Sequence, residues 1–546
     1  MTVVDPDYAA VADAVRRQDR PLAINLAARA LKRGHNHPLI LVLAAEGLEE
    51  RGKAAQALDL LRAATRAAPK NRVAWMRLAP LLARQRKFEE AAAAFDAVLA
   101  IDPDSFGALM GAGEMRLQLR DPTAAEHHYR RAAEVAPGSA APLAVLAVMA
   151  AQKRNVEEAR ELAARAAAIT PGILGAEMAV ARAELLEGRP ALAEARLTPL
   201  LGRTELDDEN RAGVLDVRAE AFDAQGRTDE AFGDYEARNA ILLRLNTTQF
   251  GGESAQRLPQ ITRRLTTFVA MEAEDAWRAS PGEDSRGLRS VRRHVFLLGF
   301  PRSGTTLLEK VLGGHPQAVT LEEVNHLTAA TLDLRGEAGW RRLARLTQAE
   351  ADVCRETYWR LVRGSLGDDL SDKILVDKLP LHTLDLPMIA RLFPDARILL
   401  ALRDPRDVVL SCYRRRFQVN LAMFEFLTLR GAADFYDAAM GLANIARSRL
   451  PLILREVRHE TVIADFDREV GEILDFIGAE WDPAVRDFAD RVGGHMRTPS
   501  YAQLARGLNA DGVGQWRRYE RQMAPILDVL DPWVAQFGYP PTPPDA

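Results

Sequence analysis

The first 245 residues carry a pattern that returns every 34 residues, which is the spacing of Pro69, Pro103, Pro137 and Pro171. Small residues recur at two fixed places in each interval, one series being Ala45, Ala79, Gly113, Ala147 and Ala181, and the other Ala57, Ala91, Ala125, Ala159 and Ala193. Small residues let two antiparallel helices approach closely, and proline ends a helix. The pattern therefore predicts a row of helical pairs.

Larger residues fill the complementary places, with Trp75 in a first helix and Phe95 and Tyr129 in second helices. This unit resembles the tetratricopeptide repeat. About seven units are predicted in residues 1–245: a degenerate one near 4–37, five between 38 and about 207, and one from about 212 to 245. A generic alanine-rich helical solenoid is the alternative. The resemblance implies a concave surface that binds a peptide or protein partner, so this part is expected to bind and not to catalyse.

The pattern changes after residue 245. Residues 246–291 mix charged and apolar positions and are predicted to form a partly helical linker or docking arm. Short apolar runs then lead into turns and helices, which predicts an α/β domain with a parallel sheet over residues 292–540. Residues 541–546 form a Pro-rich tail.

Composition narrows the class of protein. The 546 residues include 72 Lys and Arg against 76 Asp and Glu, a net charge of −4, and 48% are hydrophobic, which excludes a disordered, collagenous or nucleic-acid-coating chain. Two cysteines, Cys354 and Cys412, exclude a disulfide framework and a cysteine-rich metal cluster. With no signal-peptide pattern and no run of about 18 apolar residues, we expect a cytoplasmic protein without a membrane span.

A candidate anion-binding loop follows the apolar run 295–298. Gly299 and Gly304 have the spacing of a nucleotide-binding P-loop, between a predicted strand and a predicted helix. This arrangement directs backbone N–H groups and the positive end of the helix toward an anion. The P-loop motif continues with lysine, whereas Thr305 stands here, which argues against an ATPase or kinase. A P-loop phosphotransferase and a strand–turn–helix without a ligand are the alternatives.

Arg403 ends the next long apolar run, and Ser411 follows eight residues later, about two helical turns on. Both are predicted to face a phosphate, and Arg415, one turn further, is predicted to add a contact. The alternative is that Arg403 pairs with Asp404 or Asp407 at the start of the helix.

Lys378 ends the predicted strand 374–378, at the position where open α/β sheets present functional groups. A salt bridge with Asp377 or Asp372 is the alternative for this lysine. Glu322 and Glu323 follow another short strand, and a carboxylate there suits a general base, although a capping or solvent-exposed role is the alternative.

Segment 301–307, Pro-Arg-Ser-Gly-Thr-Thr-Leu, resembles the 5′-phosphosulfate loop of sulfotransferases that use 3′-phosphoadenosine 5′-phosphosulfate (PAPS). Arg403 and Ser411 match the 3′-phosphate site of that family. The resemblance implies catalytic roles for Arg302, for Lys378 at the departing oxygen, and for Glu323 as the base, as in tyrosylprotein sulfotransferases. It implies donor binding by Arg302, Ser303, Gly304, Thr305, Thr306, Arg403, Ser411, Arg415 and Trp516.

Two departures from the family pattern lie near these residues. Segment 513–519, which contains Trp516, is similar to the part of bacterial relatives that closes over the nucleotide, but Gly512 stands where they often carry serine. His459 stands where relatives usually carry tyrosine, and a structural role is expected for it.

The whole chain resembles the bacterial tetratricopeptide-repeat sulfotransferases. The resemblance implies metal-free transfer of a sulfuryl group from PAPS to an acceptor hydroxyl, with adenosine 3′,5′-bisphosphate (PAP) as the product. We expect the acceptor to be a protein or peptide tyrosine, held by the repeats, and expect no nucleic-acid partner. The alternatives are a glycan or small-molecule hydroxyl as acceptor, a P-loop nucleotide phosphotransferase, and a repeat scaffold whose second domain is inactive.

Overall fold

A computed structural model describes residues 6–251, 257–277, 291–488, 508 and 510–542. The chain forms two compact units, Met1–Leu200 and Leu201–Ala546. Residues 4 and 5 of the first predicted repeat, 252–256 and 278–290 of the predicted linker, and 543–546 of the predicted tail lie outside the described residues.

The described part of the first unit is built from helices that follow one another in pairs: α1 Pro6–Arg16, α2 Arg20–Lys32, α3 Pro38–Glu49, α4 Ala54–Ala67, α5 Arg72–Arg84, α6 Phe88–Ile101, α7 Phe106–Gln118, α8 Pro122–Val135, α9 Ala140–Gln152, α10 Val156–Ile169, α11 Leu174–Leu186 and α12 Pro190–Leu197. Each of the four evenly spaced prolines lies two residues beyond the end of a second helix. The predicted helical repeats are confirmed.

Close helix packing explains the small residues. The predicted small alanines of both series are fully buried. A Cβ added to Gly113 would lie 2.8 Å from the ring of Tyr129, so the glycine makes room for this aromatic side chain. The expected complementarity of small and large residues is therefore present in the packing.

The second unit begins with a further helical pair and continues as an α/β domain. Its elements are α13 Asp208–Ala224, α14 Thr228–Phe250, α15 Leu258–Met271, α16 Glu274–Trp277, β1 Arg293–Gly299, α17 Thr305–Leu312, β2 Ala318–Glu322, α18 His326–Ala330, α19 Gly336–Ala344, α20 Gln348–Leu366, β3 Ile374–Lys378, α21 Leu386–Leu392, β4 Arg397–Leu402, α22 Pro405–Arg414, α23 Leu429–Arg449, β5 Ile453–Arg458, α24 His459–Ala464, α25 Phe466–Ile477 and α26 Glu520–Gln536. None of the helices among the described residues is long and apolar enough to cross a membrane.

The five described strands form one parallel sheet in the order β2-β3-β1-β4-β5. In the central strand β1, Val295 and Leu297 pack in one apolar cluster while Phe296 and Leu298 pack in another, so both faces of the strand are covered. A Cβ on Gly299 would lie 2.6 Å from the carbonyl oxygen of Ala401 on β4, so this strand end requires glycine. The predicted parallel sheet is confirmed, and the ends of all five strands meet at one edge.

Helix α14 is joined to the α/β domain through a buried arginine. Arg238 donates hydrogen bonds to the carbonyl oxygens of Tyr413 (2.8 Å) and Arg414 (2.9 Å) in the last turn of α22. Asn239 also donates to the Tyr413 carbonyl, at 3.1 Å. These carbonyls have no partner within their own helix, so the two side chains satisfy them and bring a cation to the negative helix end. The helical pair α13–α14 thus holds one end of α22.

Candidate functional site

The loop between β1 and α17 has the backbone shape of an anion-binding turn. Arg302 and Gly304 adopt positive φ angles of 73° and 97°, and the amide of Ser303 donates to the carbonyl of Phe300 at 3.1 Å. The side chains of Ser303, Thr305 and Thr306 are buried. Since α17 begins at Thr305, the first-turn amides, which lack partners in their own helix, are available to a bound anion.

His459, the first residue of α24, lies against this loop. A Cβ on Gly304 would lie 2.7 Å from the Nδ1 atom of the His459 ring, so space as well as φ requires glycine there. Burial, together with the nearby charges of Arg403 and Arg302, lowers the pKa of His459 to about 3. A neutral imidazole therefore covers the loop at neutral pH.

Two arginines and a serine meet beside the loop. Arg302 donates from Nε to the Ser411 hydroxyl at 3.0 Å, and Arg403 donates from Nη1 to the Arg302 carbonyl at 3.1 Å and from Nη2 to the Gly512 carbonyl. Within the described part of the chain, the buried Nε of Arg403 has no hydrogen-bond partner. Three residues that the sequence analysis assigned to donor binding, one in the loop and two at the predicted 3′-phosphate site, are thus in direct contact.

The charge around Arg302 is strongly positive. Burial, together with the charges of Arg415, Arg403 and Arg414, lowers the pKa of Arg302 to about 9. Crowding of cations raises the free energy of each charged side chain, and a bound anion would relieve it.

The alternative pairing of Arg403 with the acidic residues after it is not what the structure has. Asp404 instead binds Arg406, with Nε at 2.9 Å from Oδ1. Asp407 accepts from the amides of Gly514 (2.7 Å) and Trp516 (2.8 Å). The Arg403 side chain therefore binds the loop and segment 510–514 instead of these carboxylates.

A cavity of about 250 Å³ lies beside this cluster, with walls from α13, α22 and segment 511–518: Glu220, Asp223, Ala224, Arg403, Asp407, Leu410, Ser411, Arg414, Asp511, Gly512, Gln515 and Arg518. Asp223 of α13 binds Arg518 (2.8 Å), Arg414 (3.2 Å) and the Tyr519 hydroxyl (2.8 Å). The sequence analysis missed Glu220 and Asp223, because nothing in their local spacing links α13 to α22.

The two remaining predicted donor-binding residues, Arg415 and Trp516, lie in different surroundings. Arg415 lies just beyond α22 and close enough to Arg302 to lower its pKa, with its Nη1 3.6 Å from Glu220 Oε1. The Trp516 ring is only 1% exposed and packs in the domain core, with the Arg406 guanidinium 4.0 Å from its centroid. The Trp516 amide is bound to Asp407, which lines the cavity, and donor binding by Trp516 stays a prediction.

Lys378 and Glu323 form a close pair at the same sheet edge. Lys378, 0% exposed, has its Nζ 2.9 Å from Glu323 Oε1, and the amide of Glu323 donates to the Lys378 carbonyl at 2.8 Å. A second partner is Glu309 of α17, whose Oε2 lies 3.2 Å from Nζ. Asp377, one of the alternative partners, instead accepts from the Tyr358 hydroxyl at 2.7 Å. The sequence analysis missed Glu309.

The site therefore combines an anion-binding loop with a lysine–carboxylate pair at neighbouring strand ends, since β3 lies between β1 and β2. The carboxyl edge of a parallel sheet is where such folds bind ligands. The arrangement suits transfer of an anionic group to an oxygen that loses a proton.

Comparison with known proteins agrees with this geometry. Residues 294–483 match the model of the sulfotransferase family, and residues 42–106 and 110–172 match the tetratricopeptide repeat. An uncharacterized protein of Aquifex aeolicus is 27% identical over 248 residues, which are 44% of this chain and 32% of that protein. The chain thus spans about a third of that relative's length.

A second relative is protein-tyrosine sulfotransferase A of Caenorhabditis elegans, 24% identical over 300 residues, which are 52% of this chain and 78% of that protein. Among solved structures, the sulfotransferase domain from the Synechococcus PCC 7002 olefin synthase is 20% identical and covers 44% of this chain and 90% of that one, with a TM-score of 0.32. The chain carries tetratricopeptide repeats and a sulfotransferase-family domain, and is distantly similar to the protein-tyrosine sulfotransferases.

Proposed function

We propose that the α/β domain transfers a sulfuryl group from PAPS to an acceptor hydroxyl, and that the acceptor is a tyrosine of a protein or peptide. The observation that carries the proposal is the meeting of Arg302, Arg403 and Ser411 beside the glycine loop, at the same sheet edge as the Lys378–Glu323 pair.

The residues present fit a nucleotide with two anionic ends. The loop amides and Arg302 would hold the 5′-phosphosulfate, and Arg403 and Ser411 the 3′-phosphate. Two features support this assignment: the buried Nε of Arg403, without a hydrogen-bond partner among the described residues, and the lowered pKa of Arg302 among other arginines. An anion in this place satisfies the first and relieves the second.

The lysine and the glutamate have separate tasks in the proposed reaction. Glu323 accepts the proton of the acceptor hydroxyl, and the acceptor oxygen forms a bond to sulfur as the bond between sulfur and the phosphate oxygen breaks. The electron pair of that bond stays with PAP, and Lys378 and the loop amides stabilise the charge on its oxygen. When bound, PAPS supplies the sulfuryl group. General-base catalysis of this kind contributes about 10²–10⁴-fold to the rate.

A tyrosine acceptor is supported by two observations. The relative in C. elegans is named a protein-tyrosine sulfotransferase, and Glu323 lies in a glutamate pair like the one that the resemblance assigns to such enzymes. The helical repeats, which in general bind proteins and peptides, are consistent with a polypeptide substrate.

Mass spectrometry of acceptors incubated with PAPS and the full chain tests the activity. We expect a tyrosine peptide to gain one SO₃ group, its phenylalanine counterpart to gain none, and an oligosaccharide to stay unmodified. Modification of the oligosaccharide alone would reject the tyrosine acceptor, and no transfer to any hydroxyl would reject the reaction.

Calorimetry separately tests how the nucleotide is held. We expect PAP to bind at least about tenfold more tightly than adenosine 5′-monophosphate, because only PAP has the 3′-phosphate assigned to Arg403 and Ser411. Equal affinities would refute that assignment, and tighter binding of ATP than of PAP would favour a phosphotransferase.

A further inference from the structure

Lys378 belongs to a chain of alternating charges that extends behind the candidate site. The chain, here called the charge network, runs from Glu323 through Lys378, Glu309 and Lys310 to Glu322. Lys310 Nζ lies 3.0 Å from Glu309 Oε1 and 3.3 Å from Glu322 Oε2. Together with the two contacts of Lys378, these distances connect α17 to the ends of β2 and β3.

Glu309 is the least expected member of the network. Its side chain is 1% exposed, and it lies in the helix whose first turn belongs to the anion-binding loop. A buried carboxylate is costly unless cations compensate it. Here Lys310 and the Thr320 hydroxyl (3.4 Å) donate to Oε1, and the Lys378 ammonium lies 3.2 Å from Oε2, which has no hydrogen-bond partner among the described residues. Neither donor binding nor proton abstraction, as proposed above, uses this residue.

During the proposed reaction Lys378 needs a second negative charge beside it, and Glu309 can provide one. Lys378 has Glu323 as a close counter-ion, but Glu323 loses its negative charge when it accepts the acceptor's proton. If Glu323 were the sole counter-ion, the buried ammonium of Lys378 would lose it during the reaction. Glu309, whose Oε2 lies 3.2 Å from the ammonium, does not take part in the proton transfer and remains beside Lys378 as a carboxylate through that step.

We propose that Glu309 is a positioning residue: it holds the Lys378 ammonium at the end of β3 while Glu323 changes its protonation state. The inference rests on the proposed sulfuryl transfer. This role also implies that Glu309 weakens the electrostatic attraction between Lys378 and Glu323. The Glu323 carboxylate then stays available as a base.

The test is Glu309→Gln in the full chain, with sulfuryl transfer measured at saturating tyrosine peptide and PAPS across a pH series. We expect kcat to fall roughly tenfold or more, with the KM for the peptide little changed. With Glu309 neutral, Lys378 acts on Glu323 alone and favours its charged form more strongly. The acid limb of the kcat profile should therefore move to lower pH, by about one unit.

Glu322→Gln is the matched control, because Glu322 joins the same network but contacts Lys310 instead of Lys378. We expect the acid limb of the kcat profile of Glu322→Gln to lie at the same pH as in the wild type. Glu309→Asp keeps the charge, and we expect it to restore the wild-type limb and part of kcat. PAP-induced thermal stabilisation shows whether each variant is folded, and Glu309→Asp carries the test if Glu309→Gln does not fold.

The outcomes separate this inference from the function on which it rests. A Glu309→Gln enzyme with wild-type kcat and an unmoved acid limb would overturn the role of Glu309 while leaving sulfuryl transfer in place. A folded Glu309→Asp enzyme whose limb is displaced would do the same. A wild-type chain that transfers nothing would reject the proposed function instead.

Discussion

Replacing Arg238 by methionine tests how the helical pair α13–α14 supports the candidate site. Arg238 is 0% exposed and binds Asp216 at 2.5 Å as well as the carbonyls of Tyr413 and Arg414. Methionine fills the space of the aliphatic stem but donates no hydrogen bond. The change therefore leaves a buried carbonyl and a carboxylate without their partner.

The magnitude follows from these contacts. Breaking a buried ion pair by removing one partner costs about 3–5 kcal/mol. The lower end applies here, because Asp216 is 15% exposed and Asn239 still donates to the Tyr413 carbonyl. We expect local opening of α22 to become easier by about 3 kcal/mol, which corresponds to roughly 100-fold faster exchange of its amide protons. PAP should bind about tenfold more weakly, because α22 carries Ser411.

Hydrogen exchange of peptides from residues 405–415, read by mass spectrometry, measures the first effect, and calorimetry measures the second. Arg244→Met is the matched control on the same helix: Arg244 is 62% exposed and pairs with Asp208 at 2.7 Å. An exposed pair contributes about 0–1 kcal/mol, so the control should exchange like the wild type. Equal exchange of the two variants, or unchanged PAP affinity in Arg238→Met, would refute the reasoning.

Three further outcomes are expected. Gly304→Ala should cost about 1–2 kcal/mol of stability through its positive φ and weaken PAP binding further through the clash with His459; thermal unfolding with and without PAP checks both, and a wild-type response would contradict them. Because the pKa of His459 is lowered to about 3 from an unfolded value near 6.5, stability should be retained above pH 6.5 and decline as pH falls toward 3; His459→Gln should show a shallower decline in acid unfolding, and an identical slope would argue against it. Lys378→Ala and Glu323→Ala should each lower turnover by about 10²-fold or more while PAP still binds, and wild-type transfer rates in both would reject the mechanism.

The repeats and the sheet could be predicted because their signals are local. The prolines after α4, α6, α8 and α10 prevent the helix from continuing, and this effect depends on a single residue. The alanines permit close packing against a helix that is nearby in the sequence. The buried strands are short runs of adjacent apolar residues bounded by turns, which a parallel sheet covered on both faces requires.

The candidate site was predictable only where a motif is contiguous. The loop at Gly304 and the spacing of Arg403 and Ser411 lie within single strand–helix connections. Glu309 could not be predicted in the same way, because a glutamate inside a helix usually faces solvent and its burial depends on β2 and β3 lying alongside. Asp223 and Arg238 act on residues more than 170 positions away, and no spacing encodes such a contact.

These distant contacts change how the helical pair α13–α14 should be regarded. The repeat pattern assigns the pair to the binding part of the chain, since its buried Ala219, Ala231 and Tyr235 occupy repeat positions. Its polar residues nevertheless contact the α/β domain. Arg238 binds the end of α22, and Asp223 binds two arginines that line the cavity. The small apolar residues are sufficient for the packing of the repeat. Its polar residues are not needed for that packing and instead contact the α/β domain. The repeat pattern thus identifies the fold of α13–α14 but not its role, which follows from where its charged side chains lie.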